Sequence, residues 1–376
     1  MSRAAGIIFS SLNSNTHSRL TADRTVAAIP FAARYRLVDF ALSNMVNSGI
    51  SNISVVVNYN YRSLLSHIGS GKDWDLARRQ GGINFISPFQ YSARGGEGTM
   101  FSTHLEALRA MRDHIDSSRE DYFVLMDSDN VLNLDINAVI SELERKEGNM
   151  ILVTKQIATD FSSKNPRMMV ASEDGTVTDL AMSSRYIDAC PELSVGIFIV
   201  KAHFLRKILD EADAYSLDSL TTLLLKNYRE LSLSAYRFNG YIATVSSFLD
   251  YYRTSMELIE LNGASASLFE LSERPIYTRV YSSAPTCYGR DASVYNSIIA
   301  DDCIIDGNVR GSILFRGVHI ERGATVENSI LFSGTHVMSG ASLKCIVTDK
   351  NVTVTRGVSL SGSNVLPFYV QKGRRV

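Results

Sequence analysis

In the last quarter of the chain, glycines recur at Gly307, Gly323, Gly340 and Gly357, spaced by 16, 17 and 17 residues. A second series, Ser297-Ile298, Ser312-Ile313, Ser329-Ile330 and Cys345-Ile346, recurs at 15, 17 and 16 and keeps nearly constant phase with the first. A period near roughly 18 residues is three hexapeptides, one coil of a triangular left-handed parallel β-helix. Each side of such a coil turns one aliphatic residue inward, and glycine or asparagine rounds the corner. The independent turns of an ordinary β-sandwich would not hold that phase, so residues 286–376 are expected to form the β-helix. Val294, Ile304, Val309, Val318, Val326, Val337, Val352 and Val358 are expected among its inward residues.

Upstream, the pattern is different. Gly6–Phe9, Ile53–Val57, Tyr122–Met126, Met150–Thr154 and Val195–Val200 are short β-branched or aromatic runs of the kind that form buried strands. Segments with helical spacing lie between them, such as Phe40–Ser48, His104–Ile115 and Ile136–Lys146. Alternation of this kind predicts an α/β domain over 1–272, a doubly wound, mostly parallel sheet covered on both faces, with Tyr251–Ser272 as its last helix. Glu273–Pro285, with Pro275 and Pro285, is expected to be the linker. Ligands of such sheets bind beyond the carboxyl ends of the strands, which directs attention to the loops after Phe9 and Met126.

At 376 residues with 45% apolar content, the chain has material for two cores. Its 38 Lys and Arg against 39 Asp and Glu provide no long-range field for nucleic acid or an anionic membrane, so neither is expected as a partner. Any phosphate site must therefore be local. The cysteines, Cys190, Cys287, Cys303 and Cys345, lack CxxC spacing and are expected as reduced thiols of a cytoplasmic protein. No apolar stretch reaches the roughly 20 residues of a membrane span, and the start is too soon polar for a secretory signal.

Particular motifs add a resemblance. Arg34–Ile50 closely resembles the ADP-glucose pyrophosphorylase segment KYRLIDFxLSNxxNSGI, and His67–Leu76 resembles that family's HIGxGxxWDL. With the β-helix, the resemblance covers nearly the whole chain and is strongest to the regulatory, GlgD-type subunits, companions of a catalytic subunit. It implies a Rossmann-like nucleotidyltransferase domain followed by the left-handed β-helix. The family reaction, glucose 1-phosphate plus ATP giving ADP-glucose and pyrophosphate, needs backbone donors around the triphosphate and carboxylates that hold a metal.

Here the chain departs from the family. The glycine-rich AGGxGTRLxPLT loop reads Ser10–Thr21 without a glycine, and Thr16 stands where the family has a phosphate-contacting arginine. The first lysine of RAKPAVPFGGKYR becomes Val26, which cannot replace an ammonium beside phosphate. The metal motif LSGDHIYKMD survives in Leu125–Asp135, placing Asp129 on the catalytic aspartate and Asp135 on the closing one. The second metal motif, GYWRDVGT, reads Gly240–Ser247, so its arginine, aspartate and second glycine become Ala243, Thr244 and Ser246. A neutral hydroxyl substitutes poorly for a carboxylate toward Mg²⁺. Asp127 is an extra acid, read as a solvated strand-end aspartate. The base-recognition stretch WYRGTADAV appears as Gly95–Thr103 without its aromatic pair, and FVEKP has no clear counterpart before Ser194–Ile199.

The resemblance therefore implies a vestigial site, with Asp129 and Asp135 as relics, no cofactor bound by this chain, and Mg²⁺ in the catalytic partner. It implies a hetero-oligomer, a heterotetramer by analogy, with self-association as a further expectation. Arg24 and Arg36 occupy family positions that hold the phosphates of an effector, here a sugar phosphate or phosphate, and structural ion pairs are the alternative role for both. An active nucleotidyltransferase resting on Asp129 and Asp127 is the competing enzyme reading. A hexapeptide acyltransferase would need a catalytic histidine between coils, whereas His319 and His336 are expected as solvent-facing β-helix positions.

Overall fold

The computed structural model describes residues 3–10, 19–79, 81–88, 100–214, 219–259, 268–269 and 271–376. Thr16, most of the Ser10–Thr21 loop and the first half of Gly95–Thr103 lie outside them, as do nine of the residues from Glu260 to Glu270.

The first domain is built on nine strands: β1 Ala4–Phe9, β2 Asn52–Val56, β3 Gly82–Ile86, β4 Tyr122–Asp127, β5 Met150–Gln156, β6 Ser162–Glu173, β7 Thr176–Arg185, β8 Glu192–Lys201 and β9 Leu233–Arg237. Their order across the sheet is β3-β2-β1-β4-β8-β5-β9-β7-β6. β3, β2, β1 and β4 run parallel, so Phe9 and Asp127 end side by side. β8 enters antiparallel to both β4 and β5. Its register shifts between Ser194 and Phe198, and Gly196 occupies that irregularity with φ +72°. A Cβ there would lie 2.5 Å from Asp127 Oδ2, so only glycine lets the strand pass the acid. Two apolar clusters cover the faces of the sheet, one around Leu105, Phe123 and Phe204, the other around Leu42, Trp74 and Ile197.

The motifs that carry the resemblance prove to be architectural. Asp39 accepts the Arg36 backbone N–H at 2.9 Å at the start of the helix Leu37–Asn47, and its other oxygen pairs with His67 Nε2 at 2.6 Å. Trp74 packs edge-on against that imidazole, with ring centroids 5.7 Å apart. All three side chains are buried, and burial holds His67 below the usual imidazole pKa despite Asp39.

The last helix of the domain spans Phe248–Glu257, starting three residues earlier than its expected Tyr251 because Ser247 caps it by accepting the Asp250 N–H. The segment from Pro275 to Thr286 has no regular structure but is strapped to the Leu37–Asn47 helix: Asn47 donates to Pro275 O and Tyr277 N–H to Ser43 Oγ.

From Cys287 the chain winds into a left-handed β-helix whose three faces are five-stranded parallel ladders. Val309, Val318, Val326, Val337 and Val352 point inward, each no more than 1% exposed. Ile304 does not: it faces out at 47% exposure, in the ladder that continues through His319, His336 and Thr353, while Ile305 fills the core. The two-residue strand places neighbouring isoleucines on opposite faces, and sequence alone cannot choose between them. Val294 stacks on Val309 in the correct register but stays 36% exposed because its coil is the first. Val358 is half-buried.

The serine series now has a cause. Ser297 Oγ accepts the Ser312 N–H, Ser312 Oγ that of Ser329, and Ser329 Oγ that of Ile346, at 3.1, 3.1 and 3.0 Å, so a hydroxyl column ties successive coils at one corner. The β-helix docks on the first domain through Phe315, Phe332 and Val347 against Phe31, Tyr251 and Tyr252. The four cysteines are free thiols. Among the described residues no helix is long and apolar enough to cross a membrane.

Candidate functional site

A cavity of about 750 Å³ opens where the sheet ends, floored by Phe9, Asp127, Asp129 and Gly196 and walled by Lys155, Arg167 and Thr244. It lies beyond the carboxyl ends of β1 and β4, where the strand pattern directed attention. Asp127 is not the solvated acid it was expected to be. Its Oδ1 sits 2.7 Å from His104 Nε2, and its side chain, 28% exposed, rests against Gly196. Burial works against the His104 imidazolium, but the Asp127 and Asp129 carboxylates outweigh it and raise its pKa. Phe9 packs edge-on against the ring at 4.5 Å.

Asp129 follows two residues later. Burial, reinforced by the neighbouring Asp127, pushes its carboxyl up to about 7, against the pull of Arg167 and His104. The Asp129 carbonyl accepts the Val245 N–H at 2.8 Å, which locks the short strand Ile242–Thr244 beside Asn130–Leu132. In that pairing Thr244 lies opposite Asn130 and donates its hydroxyl to Asn130 Oδ1 at 2.9 Å, while Asn130 Nδ2 donates to Val195 O at 2.7 Å. Ser246 accepts from Arg167 Nη1 at 2.8 Å. The replaced aspartate and glycine positions, 244 and 246, are thus both taken up in hydrogen bonds, one to a neutral amide and one from a guanidinium.

This donor set does not fit a hard divalent cation. Position 244 offers a hydroxyl already committed to Asn130, and Asp127 is held by His104, so of the two positions where the family motifs place metal carboxylates Asp129 alone offers one. Among the described residues no group of three or more His, Cys, Asp or Glu is arranged to hold a metal. Val26, in the single turn Val26–Ala28, is 5% exposed and contributes an apolar wall where an ammonium would be needed.

The other sequence candidates lie elsewhere. Asp135 caps the helix Ile136–Arg145 by accepting the Asn137 N–H, pairs with Arg274 at 3.0 Å, and is no part of the cavity. Arg24 is 3% exposed; one guanidinium nitrogen donates to both Asp349 oxygens at 2.6 and 2.8 Å, and Tyr369 donates to the same carboxylate at 2.6 Å. This buried pair joins the two domains. Arg36 Nη1 donates to Ser63 O and Oγ at 2.7 and 2.8 Å. Beside them, burial and the charges of Arg36 and Arg24 push Lys350 down to about 8. His319 and His336 stack face to face on the outside of the coil at 4.6 Å, and His336 pairs with Glu321 at 2.8 Å. His104, Lys155 and Arg167 were missed by sequence reasoning: no local motif marks them, and only the sheet topology brings them to one cavity.

The fold and the pocket position define a nucleotidyltransferase-type domain carrying a hexapeptide β-helix. Comparison with known proteins agrees: a nucleotidyl transferase family model matches residues 18–228, and a GlmU-like C-terminal hexapeptide model matches 284–364. The glycogen biosynthesis protein GlgD of Bacillus subtilis (strain 168) is 33% identical over 371 residues, 98% of this chain and 95% of its own length. GlgD of Geobacillus stearothermophilus is 34% identical, covering 94% of this chain and 92% of its own. A glucose-1-phosphate adenylyltransferase of Clostridium perfringens (strain 13 / Type A) is 28% identical, covering 82% and 78%. The chain belongs to the ADP-glucose pyrophosphorylase family, in its GlgD-type branch.

Proposed function

We propose that this chain is a regulatory subunit in glycogen biosynthesis that is inactive or nearly so alone. It pairs in the cytoplasm with a catalytic homologue making ADP-glucose and pyrophosphate from ATP and glucose 1-phosphate. The observation that carries this reading is the Thr244–Asn130 bond, which occupies the second metal-carboxylate position with a donated hydroxyl. Val26 supports it from the other side of the pocket. The first β-helix coil supplies a contact surface: Cys287–Tyr288, Ser293–Tyr295 and Ile298–Ile299 each have a ladder neighbour on one side only, and Tyr288 and Tyr295 are 54% and 66% exposed. Open strand edges of this kind need a cap or a partner. Truncation near Pro285 should abolish association with the catalytic subunit, measured by size-exclusion chromatography; an undiminished complex would place the interface on the first domain.

A phosphate-bearing effector would engage the basic cluster around Arg36 and Lys350, near the Arg24–Asp349 pair that joins the domains. The competing reading, an active adenylyltransferase, draws on Asp127 and Asp129 both facing the cavity. Titrating the chain into a fixed amount of catalytic subunit separates the two. A regulatory chain shifts the partner's populations by a coupling of about 1–3 kcal/mol, roughly 5- to 150-fold in an affinity or effector constant, and saturates at a fixed stoichiometry.

A further inference from the structure

Ladder partners in the β-helix lie 15 or 17 residues apart, except on one face of the last coil, where Val347 pairs with Tyr369, 22 residues on. Leu343 still pairs with Leu360, 17 residues on, so the five residues beyond that step lie between Ser361 and Phe368. They form a turn that holds its own shape. Ser363 and Leu366 exchange backbone N–H bonds at 3.1 Å each, and Ser363 Oγ also accepts the Leu366 N–H at 3.1 Å. A Cβ at Gly362 would lie 2.6 Å from Cys345 O and 2.7 Å from Phe368 N, so the root of the turn packs directly on the coil. The tip is apolar where a surface turn is ordinarily polar: Val365 and Leu366 are 68% and 70% exposed. With Pro367 they line the cavity of the first domain. Met182 of β7, exposed as well, lines the same cavity from the first domain, as do Phe248 and Leu249. Apolar side chains left in water around one rim gain by meeting. The turn is tethered to the first domain by the Tyr252 hydroxyl, which donates to Asn364 Oδ1 at 3.4 Å, long enough to be exchanged at little cost.

We propose that the Ser363–Leu366 turn is a lid: it swings over the cavity mouth so that Val365 and Leu366 cover the opening and pack on Met182. An element of the β-helix then controls access to a cavity of the first domain. A change in how the two domains pack is thereby also a change in what can enter. This inference does not rest on the regulatory reading, because the lid and the cavity belong to one chain and the closure would hold with or without a partner.

The test traps the closed state in the full chain, with the exposed Cys287 changed to serine. Met182→Cys/Leu366→Cys, oxidised with copper phenanthroline, should form a disulfide within the chain, read by mass after unfolding. Met182→Cys/Val294→Cys should not, because Val294 lies on the first coil, four ladder steps of about 4.8 Å from the last. A second arm measures access. Thr221→Cys, on the cavity wall, is labelled with N-ethylmaleimide with and without Leu366→Ser. Loss of the leucine should speed labelling about tenfold or more, the shift expected when the burial of one large aliphatic side chain no longer favours closure. Cys303, buried in the β-helix core, should stay unlabelled in both, which separates an open lid from an unfolded chain. No disulfide in the Met182–Leu366 pair, equal crosslinking of both pairs, or an unchanged labelling rate in Leu366→Ser would each overturn the proposal.

Discussion

The β-helix and the cavity of the first domain solve the problem of placing polar groups in opposite ways. In the β-helix one local rule repeats: an aliphatic residue turns in, and at one corner a serine hydroxyl accepts the N–H of the next coil. In the cavity every partner comes from a different part of the chain, with Asp127 held by His104, Thr244 by Asn130 and Ser246 by Arg167. A repeated rule tolerates no drift, because each coil is the template for the next. A pocket assembled from distant segments keeps its walls while its charges are exchanged pair by pair.

That contrast can be broken at the contact between the two regions. Asp349→Ala leaves Arg24 as a buried, uncompensated cation and should cost about 3–5 kcal/mol, the largest effect expected here, read by chemical denaturation. A loss below about 1 kcal/mol would mean that water reaches Arg24 and that the pair does not join the domains.

Within the β-helix, Ser312→Ala strands the Ser329 N–H, which has the Ser312 hydroxyl as its acceptor, and should cost about 1–3 kcal/mol. The equivalent change in the cavity, Thr244→Ala, removes a hydroxyl from a half-exposed rim and should cost less, about 0.5–1.5 kcal/mol. Equal losses at the two sites would erase the distinction between repeated and assembled architecture.

The smallest effect is a slope. Lys350 is held at about 8, below its unfolded value, so between pH 8 and 10.5 the unfolded chain keeps a proton that the folded chain has released. Stability should therefore gain a rising component across that window, with the penalty fully present below pH 8. Lys350→Gln should flatten the rise in melting temperature between pH 8 and 10; an unchanged profile would assign the slope to other groups.

The same contrast explains what could be read from the sequence. The β-helix was legible because its period is a local property, and Ile304 was misplaced because two adjacent isoleucines leave the face undetermined. The first domain was legible in its strands and in the Arg34–Ile50 and His67–Leu76 motifs, which the structure turns into the buried Asp39, His67 and Trp74 cluster. Of the site, Asp129 and Thr244 were located by motif position, and both face the cavity. Asp135 was carried along by the same motif and instead caps a helix. Asp127 was read as solvated because its partner, His104, begins a helix 23 residues earlier, a distance that no local pattern spans.

The central claim is that this pocket no longer performs the family's chemistry while the chain still acts on a homologue. The most direct measurement is ADP-glucose formation by the chain alone and in mixtures with a fixed amount of catalytic subunit, comparing wild type with Asp129→Ala and Thr244→Asp. We predict little product from any form alone, with Thr244→Asp rescuing little because Val26 remains. In the mixtures, wild type and Asp129→Ala should change the partner's kinetics equally. Turnover by the isolated chain near that of a catalytic subunit would contradict the account, and so would loss of the whole effect in Asp129→Ala while the complex still assembles.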